Sequence, residues 1–310
     1  MDRDRGQLLL VAGLGLALAF VVLALVLNAV VFTENLATRN HGETDDVVGH
    51  ERAVEGAVGG LLVQANTYND TNASTLRAAL DDGVATWDAN ASLLTASGGT
   101  VTAAAVADVE NGTRVAQSNE RNFSNATGAG DWVAARGVGE TRRFEAVVTP
   151  TGGDPLTVNV SDGAASWRVE VADEGTDTNV TAFLNGTLVA THTEPAETVA
   201  VDITDGTVNG TRVANWTFAE NVSAPYDVRV ANGENAEGRY GFVVDVPNAE
   251  DSVPSDTYAS RDSGLPAVAP ALYSATVNVT VRDDRVTYET NVSVAPEDSP
   301  SAAPWESSAA

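Results

Sequence analysis

Between Leu8 and Phe32 lie 25 consecutive residues without a charge, and Asn28 is the one strongly polar side chain among them. No other stretch limits the fold so strongly. A helix rises about 1.5 Å per residue, so the run reaches roughly 37 Å. The hydrocarbon core of a bilayer is about 30 Å thick, and a run of this length crosses it with some tilt. Core helices of globular proteins are seldom this long and this free of charge. The apolar part of a cleaved secretory signal is shorter, about 7–15 residues, and ends in small residues. Asn28-Ala29-Val30-Val31-Phe32 offers no such exit. The run therefore predicts a transmembrane helix over 8–32, with membrane lipid as its first partner. Arg3 and Arg5 precede it, and the next positive charge is Arg39. That bias predicts a cytoplasmic stub over 1–7 and an extracellular remainder, a single-pass arrangement in the cell membrane. Gly13 with Ala17 and Gly15 with Ala19 form two small-xxx-small pairs. Such pairs let membrane helices approach closely, although Gly and Ala are also simply common there.

Arg5-Gly6-Gln7 set directly against this run resembles the class III signal of archaeal type IV pilin-like proteins. The resemblance covers the N-terminal stub and the apolar run. It implies a cut by a prepilin peptidase between Gly6 and Gln7, on the cytoplasmic side. It also implies that the helix stays on the mature chain and packs with those of other pilin-like subunits. The chain departs from that family in two places. Val11 stands where many pilins carry a Glu that registers neighbouring subunits. Asn40-His41-Gly42 predicts a helix stop, where pilins often run one unbroken helix into the head. The chain also resembles membrane-anchored proteins of haloarchaea that begin in the same way, a resemblance that brings no activity with it. The first resemblance implies a non-enzymatic structural subunit of the archaeal envelope. The residues leave open an uncut, single-pass surface module for binding or adhesion. Neither reading calls for a cofactor.

Asp and Glu outnumber Lys and Arg 43 to 17, for a net charge of −26, and every basic residue is Arg. Phosphate backbones need basic side chains, so nucleic acid is excluded as a partner. Dispersed carboxylates without Lys match the solvated surface of proteins from very salty cells, where screening shortens their mutual repulsion. The chain has no Cys. That excludes disulfides, thiolate metal sites, Cys nucleophiles and a lipid-modified Cys anchor. With one Met and seven Phe, the core falls to Val, Ala and Leu.

Residues 33–99 read as a juxtamembrane helical region. Val47, Val54, Val58, Leu61, Leu62 and Ala65 recur at helical spacing and predict a helix over 44–66, weakened by Gly56, Gly59 and Gly60. Ser74 is a plausible N-cap. Leu76, Leu80, Val84, Trp87, Ala91 and Leu94 predict a second helix over 75–95, folded back on the first. From about 101 the period becomes two, with Thr, Val and Asn between Gly and Asp turns. The fold class expected is α+β: a transmembrane helix, a short helical hairpin, then a mainly antiparallel β-sandwich over 100–295. Thr276 to Val294 reads as its clearest hairpin. A turn at Asp283-Asp284 would set Val281 against Val286, Val279 against Tyr288, Val277 against Thr290 and Ala275 against Val292. Asn111-Gly112, Asn185-Gly186, Asn209-Gly210 and Asn232-Gly233 read as two-residue hairpin turns. Residues 119–140 and 248–270 read as loose, and 296–310 as a disordered tail.

The strongest chemical signal is Asn-x-Ser/Thr. It occurs at Asn69, Asn72, Asn90, Asn111, Asn122, Asn125, Asn159, Asn179, Asn185, Asn209, Asn215, Asn221, Asn278 and Asn291. Composition alone would supply about four such sites, and Thr-rich strands raise that background. All lie beyond the apolar run, on the side predicted to be outside. Strand parity turns Asn159, Asn215, Asn278 and Asn291 away from apolar neighbours, and Asn111, Asn185 and Asn209 fall at predicted turns. These asparagines are candidates for N-glycosylation.

Candidates for chemistry are few. His41 and His50 lie among Glu43, Asp45, Asp46 and Glu51, without the spacing of a zinc motif. Asp173, Asp177 and Asn179 lack the ligand order and central Gly of a calcium loop. The sequence holds no nucleophile elbow, no phosphate loop ending in Lys-Ser/Thr and no dinucleotide fingerprint. Trp87, Trp132, Trp167 and Trp216 read as core or edge residues.

Overall fold

The alternation that starts near residue 101 becomes fourteen strands among the described residues. The computed structural model describes residues 47–67, 72–97, 99–284 and 287–295. The run Leu8–Phe32, the processing pair Gly6 and Gln7, Val11, the break at Gly42 and the tail from 296 lie outside them. Contacts divide the chain into two units, 1–53 and 54–310. Of the first, 47–53 is described and is helical. Among the described residues no helix is long and apolar enough to cross a membrane.

Helix α1 covers 47–67 and α2 covers Ala73–Ala96. Within the second unit, Val54, Val58 and Leu62 of α1 are buried, as are Leu76, Leu80 and Val84 of α2. The helices meet at Leu61 and Gly83, where a Cβ on Gly83 would lie 2.8 Å from a Leu61 methyl. Asn72, not Ser74, caps α2: its Oδ1 accepts the Thr75 N–H at 3.0 Å, and the Ser74 hydroxyl also donates to it. The apolar stripe expected to end at Trp87, Ala91 and Leu94 reaches Trp87 and Ala91, both half-buried, but not Leu94. Beside them the half-buried face runs through Asp88, Ser92 and Thr95, which bond to the start of β1 (Val101–Asn122). Asp88 Oδ1 accepts the Ala104 N–H at 2.8 Å, the Ser92 hydroxyl donates to the Thr102 carbonyl at 3.1 Å, and Thr95 pairs with the Thr102 hydroxyl at 3.0 Å. Polar partners on the strand select polar residues on the helix, so Leu93 and Leu94 face outward, 75% and 76% exposed.

The remaining strands are β2 (Trp132–Val138), β3 (Thr141–Pro150), β4 (Leu156–Ser161), β5 (Ser166–Asp173), β6 (Thr178–Leu184), β7 (Thr187–Glu194), β8 (Val199–Asp202), β9 (Thr207–Val208), β10 (Thr211–Arg212), β11 (Tyr226–Ala231), β12 (Ala236–Val244), β13 (Ala267–Arg282) and β14 (Thr287–Val294). They form an eight-stranded sheet, β10-β9-β8-β3-β12-β1-β13-β14, and a six-stranded sheet, β2-β11-β4-β5-β6-β7. Every pairing is antiparallel, as in β1 with β13 and β4 with β5. The inward faces share one apolar core. Phe144, Val148, Tyr240 and Phe242 of one sheet meet Val158, Val169, Val171 and Val230 of the other. A void of about 10 Å³ lies between them. Trp132, Trp167 and Trp216 are buried.

Strand β1 runs past the end of β12. Thr113 to Ala116 pair with both β12 and β13, whereas Val101 to Gly112 pairs with β13 alone and Gln117, Arg121 and Asn122 with β12 alone. This extension, completed by β14, carries the bonds from α2. The final hairpin forms, slipped by two residues from the predicted register: Val281 faces Tyr288, Val279 faces Thr290, Val277 faces Val292 and Ala275 faces Val294. A two-residue turn would put both Asp283 and Asp284 at positive φ, which Asn-Gly tolerates better. The even slip keeps every side chain on its predicted face.

Four loop and turn readings are corrected. Residues 119–140 contain the end of β1 and all of β2, whose Trp132, Ala134, Ala135 and Val138 are buried. Strand β13 begins at Ala267 and includes Pro270. There β13 has β1 on one side only, because β14 joins from Ala275, so the missing N–H of Pro270 interrupts no ladder. Asn111-Gly112 is not a turn but lies inside β1, beside a bulge between Glu110 and Asn111. A Cβ on Gly112 would lie 2.1 Å from the Val244 carbonyl oxygen, so the glycine serves close backbone approach. Asn232-Gly233 joins the two sheets through a short 3-10 turn rather than closing a hairpin. Asn185-Gly186 and Asn209-Gly210 are the hairpin turns expected, with all four residues at positive φ.

Candidate modification sites and polar clusters

Strand alternation and turn geometry sort the sequon asparagines into distinct environments. Asn69 lies outside the described residues. Asn72, Asn90, Asn185, Asn209, Asn215, Asn221 and Asn291 are exposed. Asn111, Asn122, Asn159, Asn179 and Asn278 are half-buried, and Asn125 is buried. Exposure does not by itself leave the amide free. Asn90 Nδ2 donates to the Thr86 carbonyl at 2.8 Å inside α2, and Asn122 Nδ2 to the Glu234 carbonyl at 2.6 Å. Asn209 Oδ1 accepts the Ala200 N–H at 2.8 Å. Asn125 Oδ1 organises its own turn, accepting the N–H groups of Thr127 and Ala129 and the Thr127 hydroxyl. Asn278 and Asn291 sit directly opposite each other, and Asn278 Nδ2 donates to Asn291 Oδ1 at 3.1 Å. Asn111 and Asn179 each bury an Oδ1 without a partner. On β4, Asn159 points away from the buried Leu156, Val158 and Val160, as its parity predicts. Asn215 is outward as predicted, but by a left-handed turn (φ 61°) beside buried Trp216 rather than by strand parity.

Two polar clusters had no sequence signature. The first joins Glu140, Arg142 and Tyr273. The Tyr273 hydroxyl donates to Glu140 Oε2 at 2.5 Å, Arg142 reaches the same oxygen at 3.2 Å, and its guanidinium stacks 4.2 Å from the Tyr273 ring centre. Burial raises the Glu140 carboxyl, but the Tyr273 hydroxyl and Arg142 outweigh it and hold it below the ordinary range. Burial and the bond to Glu140 push the Tyr273 hydroxyl up. Nearby, Tyr226 donates to the Thr141 hydroxyl at 3.0 Å, and burial pushes its hydroxyl up to about 12.

The second cluster joins Arg143, Glu145 and Asp202. Arg143 adopts φ 51° at a β-bulge in β3 and bonds Glu145 at 3.0 Å. Glu145 and Asp202 are cross-strand neighbours. Burial raises both carboxyls above the ordinary range; the facing acids add to this, and Arg143 offsets part of it at Glu145. Asp202 is far from Arg143 and Glu145 in sequence, and only the β3–β8 register brings it to them.

Among the described residues no group of three or more His, Asp or Glu is placed to hold a metal ion. Asp173 Oδ1 accepts the Gly175 N–H at 2.8 Å, and the Asp177 carbonyl accepts the Glu174 N–H at 2.9 Å. Those residues therefore form a polar turn between β5 and β6. His192 bonds Glu194 at 2.9 Å along β7. His41 lies outside the described residues. Comparison with protein-family models and with curated proteins finds no match to this chain.

Proposed function

We propose that this chain is a non-enzymatic, membrane-anchored cell-surface glycoprotein, a pilin-like structural subunit of an archaeal envelope. The observation that carries the reading is Arg5-Gly6-Gln7 set directly against the uncharged run Leu8–Phe32. The run holds the chain in the bilayer as a single pass, with 1–7 in the cytoplasm and the β-sandwich outside. The small pairs Gly13/Ala17 and Gly15/Ala19 offer a packing face for other subunits. The placement of Asn185, Asn215 and Asn221 on exposed turns supports the glycoprotein part of the reading.

The test is the N-terminus of the protein taken from native membranes. A start at Gln7, abolished by replacing Gly6, is the expected result. An intact Met1 or Asp2 would sink the pilin-type reading. Val11, in place of the acid that registers pilin subunits, favours a second reading: an uncut, single-pass binding or adhesion module not built into a filament.

A further inference from the structure

Three exposed sequons converge on one end of the six-stranded sheet. Asn185 follows Leu184, the cross-strand partner of Trp167. Its N–H donates to the Ser166 carbonyl at 2.8 Å, and its Oδ1 accepts the Ser166 N–H at 2.9 Å. Trp167 is fully buried and packs edge-on against Trp216 at 5.7 Å and Phe218 at 5.2 Å. Asn215 immediately precedes Trp216, and Asn221 follows Phe218 in the same loop. The Ser223 N–H donates to Asp162 Oδ2 at 2.9 Å, which ties this loop to the β4–β5 turn at the same end. Asn185, Asn215 and Asn221 have φ of 49°, 61° and 60°. Their amide nitrogens have no partner among the described residues.

We infer that this end of the sandwich is the sugar-bearing face, and that the fold rather than the tripeptide selects Asn185, Asn215 and Asn221 for N-linked glycan. The inference rests on the glycoprotein reading above. In the transfer, a bond forms between Asn Nδ2 and the sugar C1. The bond from C1 to the phosphate oxygen of a glycosyl phosphate donor breaks, and the amide proton leaves to a base on the transferase. Each acceptor must therefore present a free nitrogen to a second protein.

The chain supplies its own control, because Asn-Gly-Thr occurs three times. At Asn185 it forms an open hairpin tip. At Asn209 it forms a similar tip, but between β9 and β10 of the eight-stranded sheet, and its Oδ1 accepts the Ala200 N–H at 2.8 Å. At Asn111 it lies inside β1, where the Thr113 hydroxyl donates to the Val246 carbonyl at 2.7 Å and accepts the Ala249 N–H at 3.0 Å. There the Asn111 Oδ1 is buried and the Thr113 hydroxyl that completes the tripeptide is already engaged, so neither is open to a transferase once the strand has formed.

Glycopeptides of the full chain from native membranes, read by mass spectrometry, test the inference. Sugar is expected at Asn185, Asn215 and Asn221. Occupancy at Asn111 and Asn125 is expected to be lower by at least about tenfold, the factor that one lost hydrogen bond sets. Equal occupancy at Asn111 and Asn185 overturns the inference. Sugar confined to Asn111, Asn122, Asn125 or Asn179 overturns it while leaving the glycoprotein reading in place. Sugar at none of the sequons overturns both.

Discussion

Asn66 holds Leu272 as a neighbouring strand would. Its Nδ2 donates to the Leu272 carbonyl at 2.9 Å, and its Oδ1 accepts the Leu272 N–H at 2.7 Å. Strand β14 does not reach this part of β13, so one α1 side chain satisfies both buried backbone groups. Asn66→Ala leaves both without partners and is expected to cost about 2–4 kcal/mol. Asn66→Asp recovers little, because a carboxylate cannot donate to the carbonyl. Denaturant midpoints of the full chain in concentrated salt, followed by Trp fluorescence, check this; an unchanged midpoint for Asn66→Ala would refute it.

Gly112 and Gly186 occupy the same place in two Asn-Gly-Thr tripeptides, yet alanine should affect them differently. At Gly112 the added Cβ meets the Val244 carbonyl oxygen. Overpacking against backbone costs about 1–3 kcal/mol and here is expected at or above the upper end. At Gly186 the space is open and the strain is the positive φ of 80°, worth about 1–2 kcal/mol. The same unfolding measurement should rank Gly112→Ala as the more damaging change.

The two carboxylate clusters tilt stability in opposite directions with pH. Asp202 and Glu145 have folded pKa values above their unfolded ones. Their contribution is complete below the unfolded value and is lost as pH rises through the folded one. Glu140 is shifted down, so its contribution is present above the unfolded value and is lost as pH falls through the folded one. Asp202→Asn keeps an Oδ1 to accept from Thr204 and Asp205 and removes the charge. It should flatten the loss on the rising side, and Glu140→Gln should flatten the acid side. Unfolding midpoints across the carboxylate range would show both, and parallel curves for wild type and variants would count against the assignment.

Trp216 closes the aromatic cluster around Trp167 and donates its indole N–H to the Ile203 carbonyl at 2.9 Å. Trp216→Ala empties a buried site and strands that carbonyl, for an expected loss of about 3–5 kcal/mol. Trp216→Phe should recover part of it. Thermal unfolding by circular dichroism distinguishes the two.

The partition into helices and then strands is legible in the sequence, because the hydrophobic period changes from near 3.6 to 2. The inward face of α2 is legible only as far as Val84. Beyond it the helix also meets backbone groups of β1, so polar Asp88, Ser92 and Thr95 share the half-buried face with Trp87 and Ala91, and the stripe fails at Leu94. Asn111-Gly112 fails as a turn signal for a related reason: glycine there serves close approach to Val244, a tertiary demand that local sequence does not encode. The outward positions of Asn159 and Asn291 follow from parity. The gathering of Asn185, Asn215 and Asn221 depends on strand order across two sheets. Pattern reading cannot supply that order.

The long strand β1 also has a mechanical meaning. Val101 pairs with Arg282 at one end of the β1–β13–β14 ribbon, while Val294 pairs with Ala275 farther along it. Tension applied between Val101 and Val294 pulls β1 and β14 in opposite senses along β13. It loads the two ladders in shear, many hydrogen bonds at once, rather than peeling them one by one. A chain without a single covalent cross-link thereby resists being drawn out along its length through the arrangement of its strands alone.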